Sequence, residues 1–415
     1  MLAIKTKKFI NAVVQAPPSK SYTNRALVVA ALANGKSEIK NPLFSDDTKY
    51  MALALENFGI RIEKKDKKLI VHGTGGSLIT PKEKIFAGNA GTTMRFITTL
   101  ASLAKGDTII TGDKRMQERP IADLLDSLNQ LGVRSESNNG FPPVKIYGGS
   151  FNGGNVKLKG DTSSQYLSSI LMCAPYAKND LSIEITGNLA SKPYVDITFD
   201  VMKNFGVDAK NINYKKFTVM HGKKYKPRNY EIEGDASNAS YFFAAAAVTK
   251  GKVTVKNINP KSVQGDIKFA GILEKMGCKV TKGRDFIKVE GCSLKSIDVD
   301  MNEMPDIVPT LAVVSLFADS TTIIRNVPNL RFKESDRLRD LASELRKIGA
   351  GVEELEDGLK IKRKRLKKAI IETYNDHRMA MSFAISGLNI SGIRIKNPAC
   401  VNKSFPDFWE KFKEM

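Results

Sequence analysis

Residues 88–112 read "GNAGTTMRFITTLASLAKGDTIITG", and this stretch decides the fold because five other stretches repeat its plan. Each copy has a polar or glycine-bearing loop, an Ala/Leu-rich helix pattern, a short loop, and an alternating strand that ends near Gly or Asn. At intervals of 68 to 75 residues, the six copies align on Arg25, Arg95, Tyr166, Tyr241, Leu311 and Met379. A period of this length predicts six copies of one α/β unit.

A second helix follows the strand in each copy, and at five places it ends in a glycine of the type that stops helices. These are Gly59, Gly132, Gly206, Gly277 and Gly349. Alternating strands such as "KLIVHG" and "VKIYGG" come next, so each unit is predicted to be βαβαββ. The sixth copy lacks its last strands, whereas the N-terminal "LAIKTKKFINAVVQ" has strands to spare. We predict that the N-terminal segment completes the sixth unit.

A chain of 415 residues is too long for one ordinary core. Three units in each globule predict two similar lobes. One lobe would comprise residues 16–233, and the other would be discontinuous, with residues 234–415 joined to 1–15.

The composition is that of a globular protein, with 42% hydrophobic and 26% charged residues. The four cysteines are scattered without a C-x-x-C spacing, which argues for a reducing compartment and against a disulfide framework or a zinc site. The N-terminus lacks the continuous apolar run of a signal peptide, and "YFFAAAAV" from Tyr241 is far too short to span a membrane. A soluble cytoplasmic protein is therefore expected.

The net charge of +21 indicates anionic partners, which could be nucleic acid or small polyanionic substrates. The densest basic run is "KIKRKRLKK", residues 360–368. Recognition of RNA would favour aromatic residues interleaved with the bases, and this run has none. We interpret it as a solvated strand and turn. The charge alone leaves both classes of partner open.

Cationic side chains are concentrated where helices are predicted to begin. Ser, Thr, Asp and Asn at such places are explained by capping, but Lys20 and Arg25 add cations where the helix dipole is already positive. That arrangement is unfavourable unless an anion binds. The loops before the second helices also contain cationic residues, namely Arg115 and Arg119 in "GDKRMQERP" and Lys403 in "NKSFPD".

Carboxylates are few in these loops, so they stand out as candidates for proton transfer. Asp306 lies between two prolines in "MPDIVP", and Glu334 lies in "NLRFKESDRL", residues 329–338. We predict that the cationic loops bind two or more anionic groups and that these two carboxylates move protons.

The motifs "PPSKSYTNR", "GNAGTTMR", "GDKRMQERP", "GDTSSQYL", "SKPYVDIT", "GDASNASYF", "KESDRL", "TYNDHRMAM" and "FPDFW" together resemble the EPSP synthase family of 3-phosphoshikimate 1-carboxyvinyltransferases. The match runs in order over essentially the whole chain. The resemblance implies a two-lobed inside-out α/β barrel of six βαβαββ repeats, three in each lobe. It also implies transfer of the carboxyvinyl group of phosphoenolpyruvate to the 5-hydroxyl of shikimate 3-phosphate, through a tetrahedral intermediate. No metal and no organic cofactor are implied, and a monomer without nucleic-acid or membrane partners is expected.

The resemblance also assigns residues to roles. Catalytic roles fall to Asp306 as the base for the 5-hydroxyl, to Glu334 as the proton carrier for the methylene carbon, and to Lys20. The residues implied for shikimate 3-phosphate are Lys20, Ser21, Arg25, Ser163, Ser164, Gln165, Ser191, Tyr194, Asp306, Asn329 and Lys333. Those implied for phosphoenolpyruvate are Lys20, Gly91, Arg115, Gln165, Arg337, Arg378 and Lys403. The lobe of residues 16–233 would mainly bind shikimate 3-phosphate, and the discontinuous lobe would supply the carboxylates and phosphoenolpyruvate contacts.

Two alternatives remain at this point. A UDP-N-acetylglucosamine carboxyvinyltransferase would share the fold, but that family typically carries a cysteine in the loop that corresponds to "GDKRMQERP". An RNA-binding or RNA-end-processing protein built from similar repeats would explain the net charge. The chain also departs from many EPSP synthases at Phe96, which stands where they have proline.

Overall fold

The computed structural model describes residues 1–415, which fold as two compact units. The first is the Pro18–Ile232 unit. The second, here called the discontinuous unit, comprises Met1–Pro17 and Glu233–Met415. Neither unit contains a helix with the length and apolar character needed to span a membrane.

Each unit contains six α-helices, three of them buried on almost every side and three with one exposed face. The buried helices are rich in Ala, Val, Leu and Ile, as a helix surrounded by other elements requires. In chain order the helices are α1 (Lys20–Leu32), α2 (Asp46–Asn57), α3 (Gly91–Ala101), α4 (Ala122–Gln130), α5 (Ser164–Cys173), α6 (Lys192–Asn204), α7 (Ala236–Thr249), α8 (Phe269–Lys275), α9 (Val308–Val314), α10 (Arg337–Ile348), α11 (His377–Ser386) and α12 (Phe408–Glu414). The odd-numbered helices are the buried ones.

The strands are short. The first fourteen are β1 (Leu2–Ala3), β2 (Asn11–Gln15), β3 (Asn34–Lys40), β4 (Arg61–Lys65), β5 (Lys68–Thr74), β6 (Ile85–Phe86), β7 (Asp107–Thr111), β8 (Ser135–Asn138), β9 (Phe141–Tyr147), β10 (Gly154–Lys159), β11 (Leu181–Thr186), β12 (Ala209–Ile212), β13 (Lys216–Val219) and β14 (Asn229–Glu231). The rest are β15 (Lys252–Lys256), β16 (Lys279–Lys282), β17 (Phe286–Glu290), β18 (Asp298–Asp300), β19 (Thr321–Arg325), β20 (Gly351–Glu354), β21 (Leu359–Lys362), β22 (Ile370–Ile371) and β23 (Arg394–Ile395).

These strands form three small sheets in each unit. Five of the six sheets share one four-stranded plan, and β22-β23-β1 has three strands. In the order β10-β11-β13-β12, the first two strands are parallel and the others are antiparallel. Sheets β14-β3-β5-β4 and β6-β7-β9-β8 complete the Pro18–Ile232 unit. The discontinuous unit contains β2-β15-β17-β16, β18-β19-β21-β20 and β22-β23-β1. A parallel pair needs a crossover, and in β10-β11 the buried helix α5 provides it.

The N-terminal strands belong to the discontinuous unit. Strand β1 runs antiparallel to β23, with Leu2 opposite Ile395, and β2 runs parallel to β15, with Asn11 opposite Lys252. Both ends of the chain therefore contribute to the same unit.

The five glycines predicted to end the second helices all have a positive φ, between +85° and +107°, which confirms that prediction. A side chain at this position would be strained, whereas glycine adopts the left-handed conformation freely.

Buried hydroxyl groups join the three inner helices of the discontinuous unit. Ser240 Oγ on α7 lies 3.4 Å from Thr310 Oγ1 on α9, which lies 3.3 Å from Ser382 Oγ on α11. Ser240 and Thr310 lie in the N-terminal halves of their helices, and Ser382 lies near the middle of α11. This contact brings the helix starts, where the candidate site residues lie, together at one end of the unit.

Candidate active site

In the Pro18–Ile232 unit, the starts of α3 and α5 carry polar side chains that bond to each other. Ser163 caps α5, where its Oγ accepts a hydrogen bond from the backbone N–H of Gln165 at 3.2 Å. Gln165 Nε2 donates to Thr92 Oγ1 at 3.4 Å, in the first turn of α3 beside Gly91. Ser163, Ser164, Gln165 and Gly91 thus lie around two neighbouring helix N-termini, which favour anions.

Arg25 is the strongest candidate for an anion ligand in this unit. Its side chain is buried and donates to neutral acceptors, among them Thr198 Oγ1 at 2.7 Å, Tyr194 O at 2.9 Å and Ser21 O at 3.0 Å. No carboxylate pairs with it, and burial lowers the pKa of Arg25 to about 10. The guanidinium carbon lies 5.3 Å from the centre of the Phe96 ring. A buried cation that has no counter-ion favours an anionic ligand.

Ser191 and Tyr194 lie at the start of α6, in contact with Arg25 through the Tyr194 carbonyl. Ser191 is buried and has a φ of +58°, an uncommon conformation for a residue with a side chain. The backbone N–H of Tyr194 donates to Ser191 O at 3.0 Å. The structure therefore groups these two residues with Ser21 and Arg25.

Lys20, at the start of α1, has an opposing charge within the protein. Its Nζ lies 2.9 Å from Oδ2 of Asp47, a buried residue in the first turn of α2. The carboxylate already balances the cation in the unliganded chain. A bound anion at Lys20 would have to share it with Asp47.

The loop "GDKRMQERP" places its two arginines differently. Arg115 forms an ion pair at 3.1 Å with the half-exposed Glu118. Arg119 is 4% exposed, and its Nη1 donates to Asn89 O at 3.2 Å and to Asn89 Oδ1 at 3.0 Å. A Cβ added to Gly91 would lie 2.6 Å from Arg119 Nη2. Arg119, not Arg115, therefore lies against Gly91 and the start of α3.

In the discontinuous unit, the predicted carboxylates meet around one buried guanidinium. Arg337 Nε and Nη2 grip the buried Asp376 at 2.7 and 3.2 Å. Its Nη2 also donates to Glu334 Oε2 at 2.7 Å, and its Nη1 donates to Asp306 Oδ1 at 3.0 Å. Because Asp376 holds the guanidinium at its rear edge, Arg337 fixes the positions of Asp306 and Glu334 relative to each other.

Further cations surround these two carboxylates. Arg378 Nη2 donates to Asp306 Oδ2 at 2.7 Å, and Lys333 Nζ lies 3.6 Å from Asp306 Oδ1. Lys403 Nζ lies 3.7 Å from Glu334 Oε1. Burial raises the pKa of Asp306, but Arg378, Lys333 and Arg337 outweigh it and hold this pKa well below its ordinary value. In the unliganded chain Asp306 is therefore ionised at neutral pH and is a weak base.

Asn329 is buried close in sequence to this cluster, in the turn Pro328–Phe332, and its Oδ1 has no hydrogen-bond partner. An unsatisfied buried acceptor costs free energy, so a ligand that donates to it would be favoured.

Two residues of the sites were missed by the sequence reasoning. One is Asp376, which lies in the motif "TYNDHRMAM" but was given no role. The other is Asp266, which is buried and accepts a hydrogen bond from Ser237. Burial and the nearby Asp306 carboxylate raise the pKa of Asp266 to about 6. Both could have been found as acids next to predicted helix starts.

The two units differ in the functional groups that their candidate site residues provide. The Pro18–Ile232 unit offers Arg25, Arg119 and two helix N-termini, which suit phosphate or carboxylate groups. The discontinuous unit offers Asp306 and Glu334 held among cations, which suits proton transfer next to a charged substrate.

The family model of EPSP synthase (3-phosphoshikimate 1-carboxyvinyltransferase) matches residues 4–412. A 3-phosphoshikimate 1-carboxyvinyltransferase of Trichormus variabilis is 47% identical over 411 residues, which cover 98% of this chain and 96% of that protein. One from Haemophilus influenzae is 48% identical over 419 residues, with 98% and 96% coverage. Among solved structures, an EPSP synthase from Acinetobacter baumannii aligns with a TM-score of 0.82 at 28% identity, covering 99% of this chain and 97% of that one. The mixed α/β fold in two domains is thus that of EPSP synthase structures.

Proposed function

Because the chain belongs to the EPSP synthase family, we propose that it transfers the carboxyvinyl group of phosphoenolpyruvate to the 5-hydroxyl of shikimate 3-phosphate. The products are 5-enolpyruvylshikimate 3-phosphate and inorganic phosphate. This reaction belongs to the shikimate pathway, which leads to chorismate and the aromatic amino acids. The observation in the structure that carries the proposal is the buried cluster in which Arg337 holds Asp306 and Glu334 together.

We assign the binding of shikimate 3-phosphate to the residues that the family motifs imply. The uncompensated guanidinium of Arg25, the capping hydroxyl at Ser163 and the open acceptor of Asn329 support this assignment. The full set is Lys20, Ser21, Arg25, Ser163, Ser164, Gln165, Ser191, Tyr194, Asp306, Asn329 and Lys333.

For phosphoenolpyruvate we assign Lys20, Gly91, Gln165, Arg337, Arg378 and Lys403, and we add Arg119 in preference to Arg115. Arg119 is supported by its burial against Gly91 and Asn89, whereas Arg115 is partly exposed and paired with Glu118. Its guanidinium can bind a phosphate or carboxylate through two parallel hydrogen bonds.

The chemistry requires one proton to reach the methylene carbon of phosphoenolpyruvate and one to leave the 5-hydroxyl. In the addition step, Glu334 gives its proton to the methylene carbon while the 5-oxygen bonds to the adjacent carbon and Asp306 takes the hydroxyl proton. In the elimination step, the bond from that carbon to the phosphate oxygen breaks, Glu334 recovers a proton from the methyl group, and the proton held by Asp306 passes to the departing phosphate. Fixed cations stabilise the charge on the departing phosphate.

Substrate binding would also make Asp306 a better base. In the unliganded chain Arg378, Lys333 and Arg337 depress its pKa. Anionic substrates would neutralise part of that positive charge, so the pKa of Asp306 would rise towards a value suited to proton transfer. Asp306 would thus become basic only when substrate is present.

Purified protein should release phosphate only when both substrates are supplied. With the reaction run in D₂O, the product methylene should gain deuterium, because Glu334 exchanges protons with solvent. Glu334→Gln should lower turnover by about 10²- to 10⁴-fold, as expected for loss of a general acid-base. Glu356→Gln, an exposed acid in the same unit, is the matched control and should retain full turnover. Phosphate release from phosphoenolpyruvate alone, or undiminished turnover of Glu334→Gln, would contradict the proposal.

We further propose that each unit is a lobe of three βαβαββ repeats in an inside-out α/β barrel. The shared strand order of the sheets and the repeat of buried hydroxyls support this reading. We also propose that the lobes correspond to residues 16–233 and to 1–15 plus 234–415, and that the protein is a cytoplasmic monomer whose partners are its two substrates. Size-exclusion chromatography with light scattering tests the oligomeric state, and a dimer mass would contradict it.

A further inference from the structure

A cavity of about 970 Å³ opens in the discontinuous unit, away from the carboxylate cluster. Helix α7 has its start at Ala236 and its end at Thr249, and Thr249 lines the cavity. A helix of 14 residues is roughly 21 Å long. The residues that follow α11, Asn389 and Ile390, also line the cavity, whereas Arg378 at the start of α11 binds Asp306. The cavity therefore lies beyond the C-terminal ends of α7 and α11, whereas Arg378, which contacts Asp306, lies at the opposite end of α11.

Part of the basic run at residues 360–368, which the sequence predicts to be a solvated strand and turn, lines this cavity. Only its first residues form a strand, since β21 ends at Lys362. The cavity is lined from this run by Arg363, Lys364, Arg365, Lys367 and Lys368. Lys8 and Lys250 add two more cations from distant parts of the chain. Seven cations from three segments thus converge on one concave surface.

These cations are not balanced by the protein. None of the seven forms an ion pair with a carboxylate, whereas Lys360 in the same run pairs with Glu353 at 3.1 Å. The only acid in the lining is Asp319, whose Oδ1 already accepts the backbone N–H of Ser296 at 2.8 Å. Helix ends supply about half a negative charge each, so the ends near the cavity cannot balance six net positive charges.

One wall of the cavity is apolar. Leu294 and Ile390 are buried there, and Phe317 and Leu366 are partly exposed to the cavity. A concave site of this size with clustered charge and an apolar wall has the features of a small-molecule site rather than of a flat contact surface. Orthophosphate carries about two charges at neutral pH and would leave most of the cations unmatched.

We propose that this cavity binds an anion with a polyphosphate chain. The phosphates lie against Arg365, Lys367, Lys8 and Lys250, and an organic group, where the ligand has one, packs on Phe317 and Leu366. The same chemistry is offered by inorganic polyphosphate and by nucleoside triphosphates. Neither is a substrate of the carboxyvinyl transfer, so the cavity is a site separate from that reaction.

The test is isothermal titration calorimetry with sodium tripolyphosphate, ATP and orthophosphate in about 50 mM salt, where screening is weak. Saturating shikimate 3-phosphate is added so that the catalytic phosphate-binding groups are occupied. We expect one tripolyphosphate per chain and orthophosphate binding at least about tenfold weaker, because it makes fewer charged contacts. Tighter binding of ATP than of tripolyphosphate would identify a nucleotide, and equal binding would identify the inorganic chain.

Two double variants probe the cavity from different segments. Arg365→Gln/Lys367→Gln and Lys8→Gln/Lys250→Gln should each weaken tripolyphosphate binding at least about tenfold, because each removes two phosphate contacts. Lys223→Gln/Lys224→Gln removes the same charge from an exposed loop of the other unit and should change binding less than about twofold. Turnover should be unchanged in all three, which shows that the proteins are folded.

The proposal would be overturned if tripolyphosphate did not bind. It would also be overturned if the Lys223/Lys224 control lost as much affinity for tripolyphosphate as the cavity variants, or if only one of the two cavity variants lost affinity. Tighter binding of a single-stranded RNA oligonucleotide, lost in the same cavity variants, would also overturn it and would identify a nucleic-acid surface instead.

Discussion

The two arginines of the "GDKRMQERP" loop provide a decisive test of the site, because one is buried against Gly91 and the other is not. Arg119 is 4% exposed and donates two hydrogen bonds to Asn89, whereas Arg115 pairs with Glu118 near the surface. We expect Arg119→Gln to impair the reaction of phosphoenolpyruvate and Arg115→Gln to have little effect.

The magnitude follows from the contacts. A hydrogen bond to a charged group contributes about 1.5–3 kcal/mol, so loss of the Arg119 contact with a substrate anion should lower kcat/KM for phosphoenolpyruvate about 10- to 150-fold. An exposed ion pair contributes about 0–1 kcal/mol, and it contributes to the stability of the fold rather than to catalysis. The kcat/KM of Arg115→Gln for phosphoenolpyruvate should therefore stay within about threefold of the wild type. Arg119→Lys keeps the charge but not the planar fork, and should recover only part of the loss.

The assay is steady-state phosphate release with each substrate varied in turn. The KM for shikimate 3-phosphate should be less affected than that for phosphoenolpyruvate, which distinguishes a lost ligand from general damage to the fold. A Tm measured for each variant controls for the hydrogen bonds that Arg119 makes to Asn89. The assignment of Arg119 is wrong if Arg115→Gln lowers kcat/KM for phosphoenolpyruvate tenfold or more while the kcat/KM of Arg119→Gln remains within threefold of the wild type.

Three further changes test other parts of the site. Gly91→Ala would place a Cβ 2.6 Å from Arg119 Nη2, so the guanidinium must move and the KM for phosphoenolpyruvate should rise about tenfold. Phe96→Leu removes the aromatic face beneath Arg25, a contact of about 0.5–2 kcal/mol, and should raise the KM for shikimate 3-phosphate about 2- to 30-fold. Asp266→Asn should stabilise the protein at pH 7.5 by at most about 3 kcal/mol, measured by urea unfolding, and by much less near pH 4.

The sign for Asp266 follows from its raised pKa. Burial favours the protonated acid in the folded protein, so the cost of ionising it is absent below the unfolded pKa of 3.8, grows up to pH 6 and is complete above it. A stability difference that does not grow between pH 4 and pH 7.5 would contradict this.

For the glycine variant, Gly271→Ala is the control, because nothing lies within 4 Å of a Cβ there. An unchanged KM for shikimate 3-phosphate in Phe96→Leu would mean that the ring does not support Arg25.

The repeat made the location of many site residues predictable, because residues at helix starts recur every 68 to 75 positions. The pairing between separate segments was not predictable. Lys20 is balanced by Asp47 from the following helix, and Arg337 is gripped by Asp376 from 39 residues away. Such contacts depend on how segments pack together, which periodicity does not specify.

The sequence pattern also could not distinguish the positions of Arg115 and Arg119, because these depend on the local backbone direction. Four residues apart, they would share one face of an α-helix. The structure instead has a short 3-10 turn at Met116–Glu118, after which Arg119 is extended with φ −91° and ψ 124°. That change in backbone direction sends one guanidinium to Gly91 and leaves the other near solvent. The basic run at 360–368 is a solvated strand and turn, as the sequence predicts, but its proximity to Lys8 and Lys250 was not predictable because those residues are far away in sequence.

The pairing of both chain ends in the discontinuous unit has a consequence during synthesis on the ribosome. Strand β1 is the first to emerge, yet its partner β23 begins at Arg394. At about 5–20 residues per second, Leu2 waits roughly 20–80 s for Ile395 to be made. The Pro18–Ile232 unit has all its strands well before then. It can complete its fold while the N-terminal strand still has an open edge, and the nascent chain must keep that edge from pairing elsewhere.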